Sequence, residues 1–371
     1  MEHYKVISEM DGTVQCFYIC ETDTLEMVLA PSRYLMHKTM SNKSPNTVRR
    51  NAYSLAAYLE YLKTLDKTAD QVIAMEYEEQ SSHFVKFLHW LKDGNHRETE
   101  EIKIPNNGTC NAYLKDVFRF YLFMEMQGKY ESLKVLYYDS FTTVNHAGVQ
   151  RRLKYRAFKG YLREEERKVR AAEQNEILTL LKACTNCRDQ LLILLAAETG
   201  YRIGEILGID YTKDIDFRNH TIRIYFRDDN ENGARAKNAE YRRAKVSKET
   251  FEFLMYYLAE YRKLLQHQQL LFINIAGEEA GKAWDVDAVY SMFRRMEHKT
   301  GIKVTPHMLR RYFAVMRRKA GWRLEMISEA LGHKHLETTV KYLNIVDDEL
   351  LEASDAYYAK HSALYNVEQL L

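Results

Sequence analysis

Apolar side chains recur at helical spacing through much of the first half of the chain. Ser44-Pro45 predicts a helix start, because serine caps exposed N–H groups and proline fits the first turn. The apolar residues that follow lie on one predicted helical face: Val48, Tyr53, Leu55, Ala56, Leu59 and Leu62. Two more helices are predicted across 84–91 and 111–123. The alternating run over 13–20 predicts a strand.

The second half combines predicted buried helices with one predicted hairpin. Apolar residues within 177–181 and 191–197 predict the helices, and Gly200 ends the second of them with a sharp turn. Residues 221–226 and 240–247 alternate like strands on either side of a polar segment. The fold class predicted from these elements is mainly α with a small antiparallel β-sheet.

Composition fits a globular protein of two or three domains, with 371 residues, 46% hydrophobic and 12% aromatic. A net charge of +2 indicates no partner by itself, so the distribution of charge matters more. Between 294 and 323 there are ten lysines and arginines and one acid, Glu297. Such a one-sided basic stretch favours a polyanionic partner such as nucleic acid.

A second basic cluster lies between 146 and 175, where the apolar periodicity weakens. Its charges belong to Arg151, Arg152, Lys154, Arg156, Lys159 and Arg163. A run of charge is usually a solvated segment, but a basic stretch also gains affinity for duplex DNA by releasing counterions. Two interpretations stay open: a solvated linker, and a linker that lies on the DNA backbone.

Membrane and metal functions find no support in the sequence. The first five residues lack a basic-then-apolar signal pattern, and the run 191–197 is too short to cross a bilayer. We expect a cytoplasmic protein with no membrane partner. Cys184 and Cys187 form a Cys-x-x-Cys motif, and no second pair follows at the spacing of a zinc site. We therefore expect reduced cysteines and no metal.

Arginine, histidine and tyrosine side chains suited to phosphate chemistry are Arg202, His307, Arg310, His333 and Tyr342. Guanidiniums match phosphate oxygens as planar forks, and imidazoles move protons near neutrality. A phenol, with a reference pKa of about 10, becomes a nucleophile only beside cations and a proton acceptor. Positions three apart share a helix face, so His307 and Arg310 can address one phosphate while Arg311 faces away.

These residues stand in an order and spacing typical of one family. They read Arg202 with Glu205, then His307-Met308-Leu309-Arg310, then Leu331-Gly332-His333 and, nine positions later, Tyr342. In this series the chain resembles the tyrosine recombinases of the phage integrase family, over roughly half its length. One H-x-x-R motif would be weak evidence, whereas several ordered elements with matching spacing are strong.

The resemblance implies that DNA is cut by transesterification. Tyr342 would attack a backbone phosphorus and become joined to the 3′ phosphate, while a hairpin lysine protonates the departing 5′ hydroxyl. Lys237 fits that lysine best, with Arg235 and Lys245 as competitors. No cofactor or metal is implied, because the phosphotyrosine keeps the bond energy and arginines stabilise the developing charge.

The other motif residues would act on the same phosphate. Arg202 and Arg310 would clamp its nonbridging oxygens, and Glu205 would orient Arg202 or its neighbours from behind. His307 and His333 would bond the phosphate or relay the tyrosine proton.

The implied architecture is that of a multi-domain tyrosine recombinase, with a helical core-binding domain and an α/β catalytic domain. Its predicted segments are an N-terminal extension 1–30 with a DNA-binding or docking role, a core-binding domain 31–145, a basic linker 146–175, a catalytic domain 176–345 and a tail 346–371. The tail is either a subunit-exchange helix or a helix folded back on its own domain. Predicted DNA-binding residues are Arg49, Arg50, Arg151, Arg152, Lys154, Arg156 and Arg311.

The implied partners are double-stranded DNA with specific recombination sites, three further copies of the chain in a tetramer, and helper proteins encoded by a mobile element. The N-terminal piece and the long hairpin segment resemble integrases and transposases of mobile elements. Two alternatives stay open. One is a type IB topoisomerase, and the other is a non-catalytic DNA-binding regulator on the same fold.

Overall fold

The computed structural model describes residues 3–12, 14–96, 105–128, 131–144, 148, 150–156, 158–165, 170–225, 227, 230–234 and 241–343. For 138–141, 143, 151–156 and 341–342 it describes the backbone alone. The chain divides into two compact units between Arg167 and Lys168. Both are mainly helical with small antiparallel sheets, which confirms the predicted fold class.

Unit 1, the N-terminal one, carries two hairpins and a set of helices. In chain order its elements are β1 (Tyr4–Asp11), β2 (Val14–Glu21), α1 (Leu29–Met40), α2 (Pro45–Thr64), α3 (Ala69–Ala74), α4 (Tyr77–Lys92), α5 (Asn107–Met126), a 3-10 turn (Lys134–Leu136), β3 (Tyr138–Val144) and β4 (Gln150–Arg156). The three helices predicted from this half of the sequence are α2, α4 and α5. Helix α2 begins as expected, with the Ser44 side chain accepting from the Thr47 amide and proline in the first turn.

The first hairpin shares its core with the helices. Phe17 and Ile19 on β2 are buried in the same apolar cluster as the inner faces of α2, α4 and α5. The buried carboxylate of Glu60 on α2 accepts hydrogen bonds from the backbone amides of His3 and Tyr4, at 2.7 and 2.8 Å. The start of β1 and the middle of β2 are therefore tied to the helices, while the turn end of this hairpin is exposed.

The second hairpin lies where the sequence analysis places the start of a linker. Strand β4 covers four of the predicted DNA-binding residues, Arg151, Arg152, Lys154 and Arg156, and it pairs antiparallel with β3 in the register Tyr138↔Arg156. The sequence analysis did not predict this strand, because a basic run is usually solvated coil. Strands pair through backbone groups, which are present in any sequence.

Unit 2 surrounds a three-stranded antiparallel sheet, β5–β6–β7, with helices. Its elements are α6 (Gln174–Ala183), α7 (Cys187–Thr199), α8 (Ile203–Leu207), β5 (Ile215–Asp216), β6 (Thr221–Ile224), β7 (Arg242–Lys245), α9 (Lys248–Glu260), α10 (Arg262–Leu265), α11 (Val286–Thr300), α12 (Pro306–Lys319), α13 (Leu324–Leu331) and α14 (Leu336–Leu343). The predicted hairpin appears as β6 and β7, each shorter than expected. Strand β5, two residues long, is too short to leave a sequence pattern.

Candidate active site

The turn between α7 and α8 delivers Arg202. Gly200 adopts φ +64°, and a Cβ atom there would lie 2.5 Å from a ring carbon of Phe313, so this turn requires glycine. Arg202 then caps α8. The Glu205 carboxylate accepts hydrogen bonds from the Arg202 backbone amide at 2.7 Å and from Arg202 Nη1 at 2.8 Å.

Glu205 gathers three guanidiniums around one fully buried carboxylate. Besides Arg202, Arg242 on β7 donates from Nη2 to Oε1 at 2.6 Å, and Nη1 of Arg310 lies 3.9 Å from Oε2. A buried carboxylate is costly unless cations and hydrogen bonds compensate it. Here three cations share it, so the cluster keeps an excess of positive charge. This cluster, Arg202, Glu205, Arg242 and Arg310, is called the Glu205 cluster below.

Arg310 is the most deeply buried arginine of the cluster, with 2% of its side chain exposed. Its Nη1 donates to the carbonyl of Gly200 at 2.6 Å, and its Nη2 donates to that of Leu331 at 2.5 Å. Arg310 lies in the first turns of α12, whose start is fixed because Thr305 caps the helix and Pro306 occupies the first position. His307, one turn earlier, is exposed, and Arg311 is partly exposed.

His333 follows the αL residue Gly332, which ends α13. Its Nδ1 shares a hydrogen bond of 2.9 Å with Oγ1 of Thr339 on α14. Burial, and then the charges of Arg310, Arg202 and Arg242, lower the pKa of His333 to about 4. The imidazole is therefore neutral at pH 7 and can accept a proton or a hydrogen bond.

The predicted nucleophile, Tyr342, lies on α14. Its helix is held beside α12 and α13 by the next residue, Leu343, which is buried with Phe313, Ile327 and Leu331. Tyr342 follows Thr339 by three positions, and residues three apart lie on the same side of an α-helix. The backbone of α14 therefore brings position 342 to the side that meets His333. The tyrosine side chain is outside the described part of the structure.

The predicted hairpin lysine, Lys237, and its competitor Arg235 lie outside the described residues, as does the predicted tail 346–371. The other competitor, Lys245, lies on β7 and is exposed. Strand β7 also carries Arg242, whose Nη1 donates to the carbonyl of Ala330 at 3.0 Å. The second strand of the predicted hairpin, β7, is thus joined directly to the Glu205 cluster.

Arg242 is the site residue that the sequence analysis did not identify. Its neighbour Arg243 is exposed, while Arg242 itself is buried opposite Ile224 of β6. Alternation along β7 was the available signal, because Arg242 and Ala244 share one face and Arg243 and Lys245 the other. An arginine at an inward position is unusual enough to indicate a buried partner.

The predicted DNA-binding residues of unit 1 differ in how they are held. Arg49 and Arg50, adjacent on α2, are both exposed. The Arg49 guanidinium lies 5.9 Å from the ring of Tyr53, whereas Arg50 forms a two-pronged ion pair with the buried Asp116 of α5. Arg50 is therefore fixed in position, and Arg49 is held less rigidly.

Metal and thiol chemistry find no site in the described part of the chain. No group of three His, Cys, Asp or Glu side chains among those residues is arranged to hold a metal ion. Burial raises the pKa of Cys184 to about 12 and also raises that of Cys187, so both thiols stay protonated. No helix in the described ranges is long and apolar enough to span a membrane.

Comparison with known proteins adds a family match. Residues 168–349 match the family model described as "Phage integrase family". Transposase A from transposon Tn554 of Staphylococcus aureus strain Mu50 is 26% identical over 367 residues, covering 94% of this chain and 96% of that protein. Tyrosine recombinase XerA of Saccharolobus solfataricus is 31% identical over 187 residues, 50% of this chain and 55% of XerA.

Solved structures share the fold. The post-cleavage complex of the XerH site-specific recombinase with a palindromic difH substrate has a TM-score of 0.60 at 18% identity, covering 88% of this chain and 84% of that one. A lambda integrase dimer bound to a COC′ core site has a TM-score of 0.56 at 14% identity, covering 85% and 94% respectively.

Proposed function

Since this chain belongs to the phage integrase family of tyrosine recombinases, we propose that it cuts and rejoins duplex DNA with Tyr342 as the nucleophile. It is a site-specific recombinase of a mobile element, an enzyme of DNA strand cleavage and rejoining. We propose a cytoplasmic location, in keeping with a DNA substrate. The likeness to a transposase along nearly its whole length favours the transposition of an element over chromosome maintenance.

One observation carries the proposal: the Glu205 cluster adjoins the helix that bears Tyr342. Three guanidiniums share one carboxylate, so the cluster attracts an anion. His333 contacts α14 through Thr339, and the charges of all three arginines help to lower its pKa. A phosphodiester held at this place would have cations, a neutral imidazole and a phenol-bearing helix around it.

In the proposed step the phenolic oxygen of Tyr342 attacks the phosphorus and the bond to the 5′ oxygen breaks. The 3′ phosphate stays on the tyrosine, and Lys237 gives its proton to the departing 5′ oxygen. Arg202, with 23% of its side chain exposed, and the buried Arg310 hold the nonbridging oxygens. Burial strengthens their effect, because less solvent screens their charges.

Proton removal from the phenol falls to His333 in this scheme. Burial and the neighbouring arginines lower its pKa, so the imidazole is a weak base before a phosphate enters. Entry of a phosphate places negative charge beside the same arginines, which raises the affinity of the imidazole for a proton. His307, exposed at the start of α12, hydrogen-bonds the phosphate. Ligation reverses the step when a 5′ hydroxyl of another strand attacks the phosphotyrosine.

Arg242 is assigned a positioning role. It donates to both Glu205 and the carbonyl of Ala330, so it joins β7 to the last turn of α13, just before His333. Through this contact β7, the strand that follows Lys237 in the chain, is joined to the arginines that hold the phosphate.

A nicked suicide substrate tests the proposal, because loss of a short strand traps the covalent intermediate. The wild-type chain should form an adduct, and Tyr342→Phe should form none while binding DNA nearly as well, since one oxygen is lost. An adduct that persists in Tyr342→Phe moves the nucleophile elsewhere. Joining of the cut strand to a second duplex separates a recombinase from a topoisomerase, and a wild-type chain that binds without any adduct is a regulator.

The hairpin lysine has its own test. Lys237→Ala should be partly rescued on DNA whose leaving 5′ oxygen is replaced by sulfur, because a thiolate leaves without a proton. Arg235→Ala and Lys245→Ala are the matched controls. Rescue of either control instead of Lys237→Ala reassigns the general acid.

The assembly proposed for recombination is a tetramer on DNA, because two duplexes must be cut and exchanged and four tyrosines are needed. The tail 346–371 is the proposed contact between copies. Deleting it should preserve binding to a single site and abolish synapsis. Gel shifts with DNA that carries one or two sites measure both. Recombination by the truncated chain would show that the tail serves its own subunit.

A further inference from the structure

A second buried carboxylate holds arginines in unit 1. Asp116 on α5 is fully buried and accepts from Nε and Nη2 of Arg50 at 3.0 and 3.2 Å. It also accepts from Nη1 of Arg119 at 2.7 Å and from the hydroxyl of Ser54 at 3.3 Å. Two guanidiniums from different helices, α2 and α5, are therefore fixed by one acid.

The positive charge of this group is not balanced. Lys38, in the last turn of α1, is close enough to Arg119 and Lys43 that their charges add to partial burial in lowering its pKa, while Asp116 opposes the shift. Its Nζ lies 5.0 Å from the ring of Tyr34. Two guanidiniums share one carboxylate, and the Lys38 ammonium on α1 adds a further positive charge to this part of unit 1.

The cations face solvent although the acid does not. Arg50 and Arg119 each keep 52% of their side chains exposed. Arg50 uses one edge of its guanidinium for Asp116, so Nη1 lies on the far side of the group. Ion pairs with such exposed partners add little to stability, while burying the acid has a cost. An arrangement that holds two exposed forks in place is better explained by an anion that binds them.

We propose that Arg50 and Arg119 form a binding site for the phosphate backbone of DNA, with Asp116 holding both guanidiniums in place before DNA arrives. The inference rests on the proposed function, since it needs duplex DNA as the ligand. Guanidiniums match phosphate oxygens, and groups ordered in advance lose less freedom on binding. The site recognises no base, so it contributes equally on every sequence.

Binding of a fluorescent mixed-sequence duplex tests the site, measured by anisotropy at several salt concentrations in the full chain carrying Tyr342→Phe. Arg119→Gln should weaken binding and reduce the slope of log K against log salt by about 1, as expected for one lost phosphate contact. Arg50→Gln should act likewise, and the double variant should lose less than the sum, because both residues serve one site. Lys86→Gln, an exposed cation on α4, is the charge-matched control.

Asp116→Asn gives the sharper result, because it makes the chain more positive. Attraction by net charge alone predicts tighter binding, whereas loss of the fixed geometry predicts weaker binding. Circular dichroism and thermal unfolding confirm that the variant is folded, and Arg119→Gln carries the test if it is not. The inference is overturned if Arg119→Gln matches Lys86→Gln, or if a folded Asp116→Asn binds more tightly. Absence of binding by the parent chain would instead overturn the proposed function.

Discussion

Asp116 in unit 1 and Glu205 in unit 2 are both buried carboxylates that gather arginines, and the difference between them lies in the exposure of the arginines. The arginines on Asp116 keep 52% of their side chains exposed, whereas those on Glu205 keep 23% (Arg202), 6% (Arg242) and 2% (Arg310). A carboxylate shared by arginines can therefore have either of two roles. It can orient exposed guanidiniums toward a ligand at the surface, or it can hold buried guanidiniums at a site where solvent screens their charge little.

The largest expected effect comes from neutralising the two acids. Glu205→Gln should lower the unfolding free energy of unit 2 by about 3–5 kcal/mol, since it leaves buried guanidiniums without their carboxylate. Asp116→Asn should cost unit 1 about 1 kcal/mol or less, because its arginines remain solvated. Chemical denaturation measures both. Equal losses would show that exposure of the arginines does not distinguish the two clusters.

Replacing arginine by lysine at one position in each cluster gives the next effect. Arg310→Lys should reduce single-turnover adduct formation by about 10²–10³-fold, because an ammonium cannot reproduce the fork or its two carbonyl contacts. Arg119→Lys should weaken DNA binding by only about fivefold or less, since charge is retained at an exposed position.

Arg311→Lys is the control for Arg310→Lys, because Arg311 is the next residue on α12 and is only partly buried. We expect a far milder defect there. Matching defects at both positions would remove the reason for assigning Arg310 to the phosphate.

The smallest expected effect concerns two histidines whose pKa is lowered to about 4 beside different cations. Burial is the main cause for both, with smaller effects of Lys67 and Lys86 on His83 in unit 1, and of Arg310, Arg202 and Arg242 on His333. Arg242→Gln should raise the pKa of His333 and leave that of His83 unchanged, as followed by NMR titration of the imidazoles. A shift at both would indicate a general loosening of the fold.

These histidines also set a direction for stability against pH. Each has a folded pKa near 4, below its ordinary value of 6.5, so the unfolded chain binds more protons between those values. Stability should therefore fall as pH drops from about 6.5 toward 4. Denaturation of His83→Gln at several pH values should show a weaker dependence than the parent chain in that window.

Much of the fold was predictable because its signals are local. The cap at Ser44-Pro45, the cap at Thr305-Pro306 and the glycine turn at Gly200 each require specific residue types within a few positions. The strand β4 was missed because its pairing depends on backbone groups, which leave no mark on the sequence.

The candidate site divides in the same way. Arg202, Arg310 and His333 were predicted from motifs, and the structure brings them together around Glu205. Arg242 and Asp116 were not predicted, because each owes its role to partners distant in the chain. Sequence spacing indicates which residues share a helix, but not which charges meet across a core.

Gly332 has one further consequence. A Cβ atom at this position would lie 2.6 Å from Cζ of Arg242, so the guanidinium occupies the space that any other residue would need. A side chain at 332 would have to displace the Arg242 guanidinium from Glu205 and Ala330, and at φ +63° it would be strained even with that space empty. We therefore expect descendants of this chain to keep glycine at 332 even where Arg242 has been replaced.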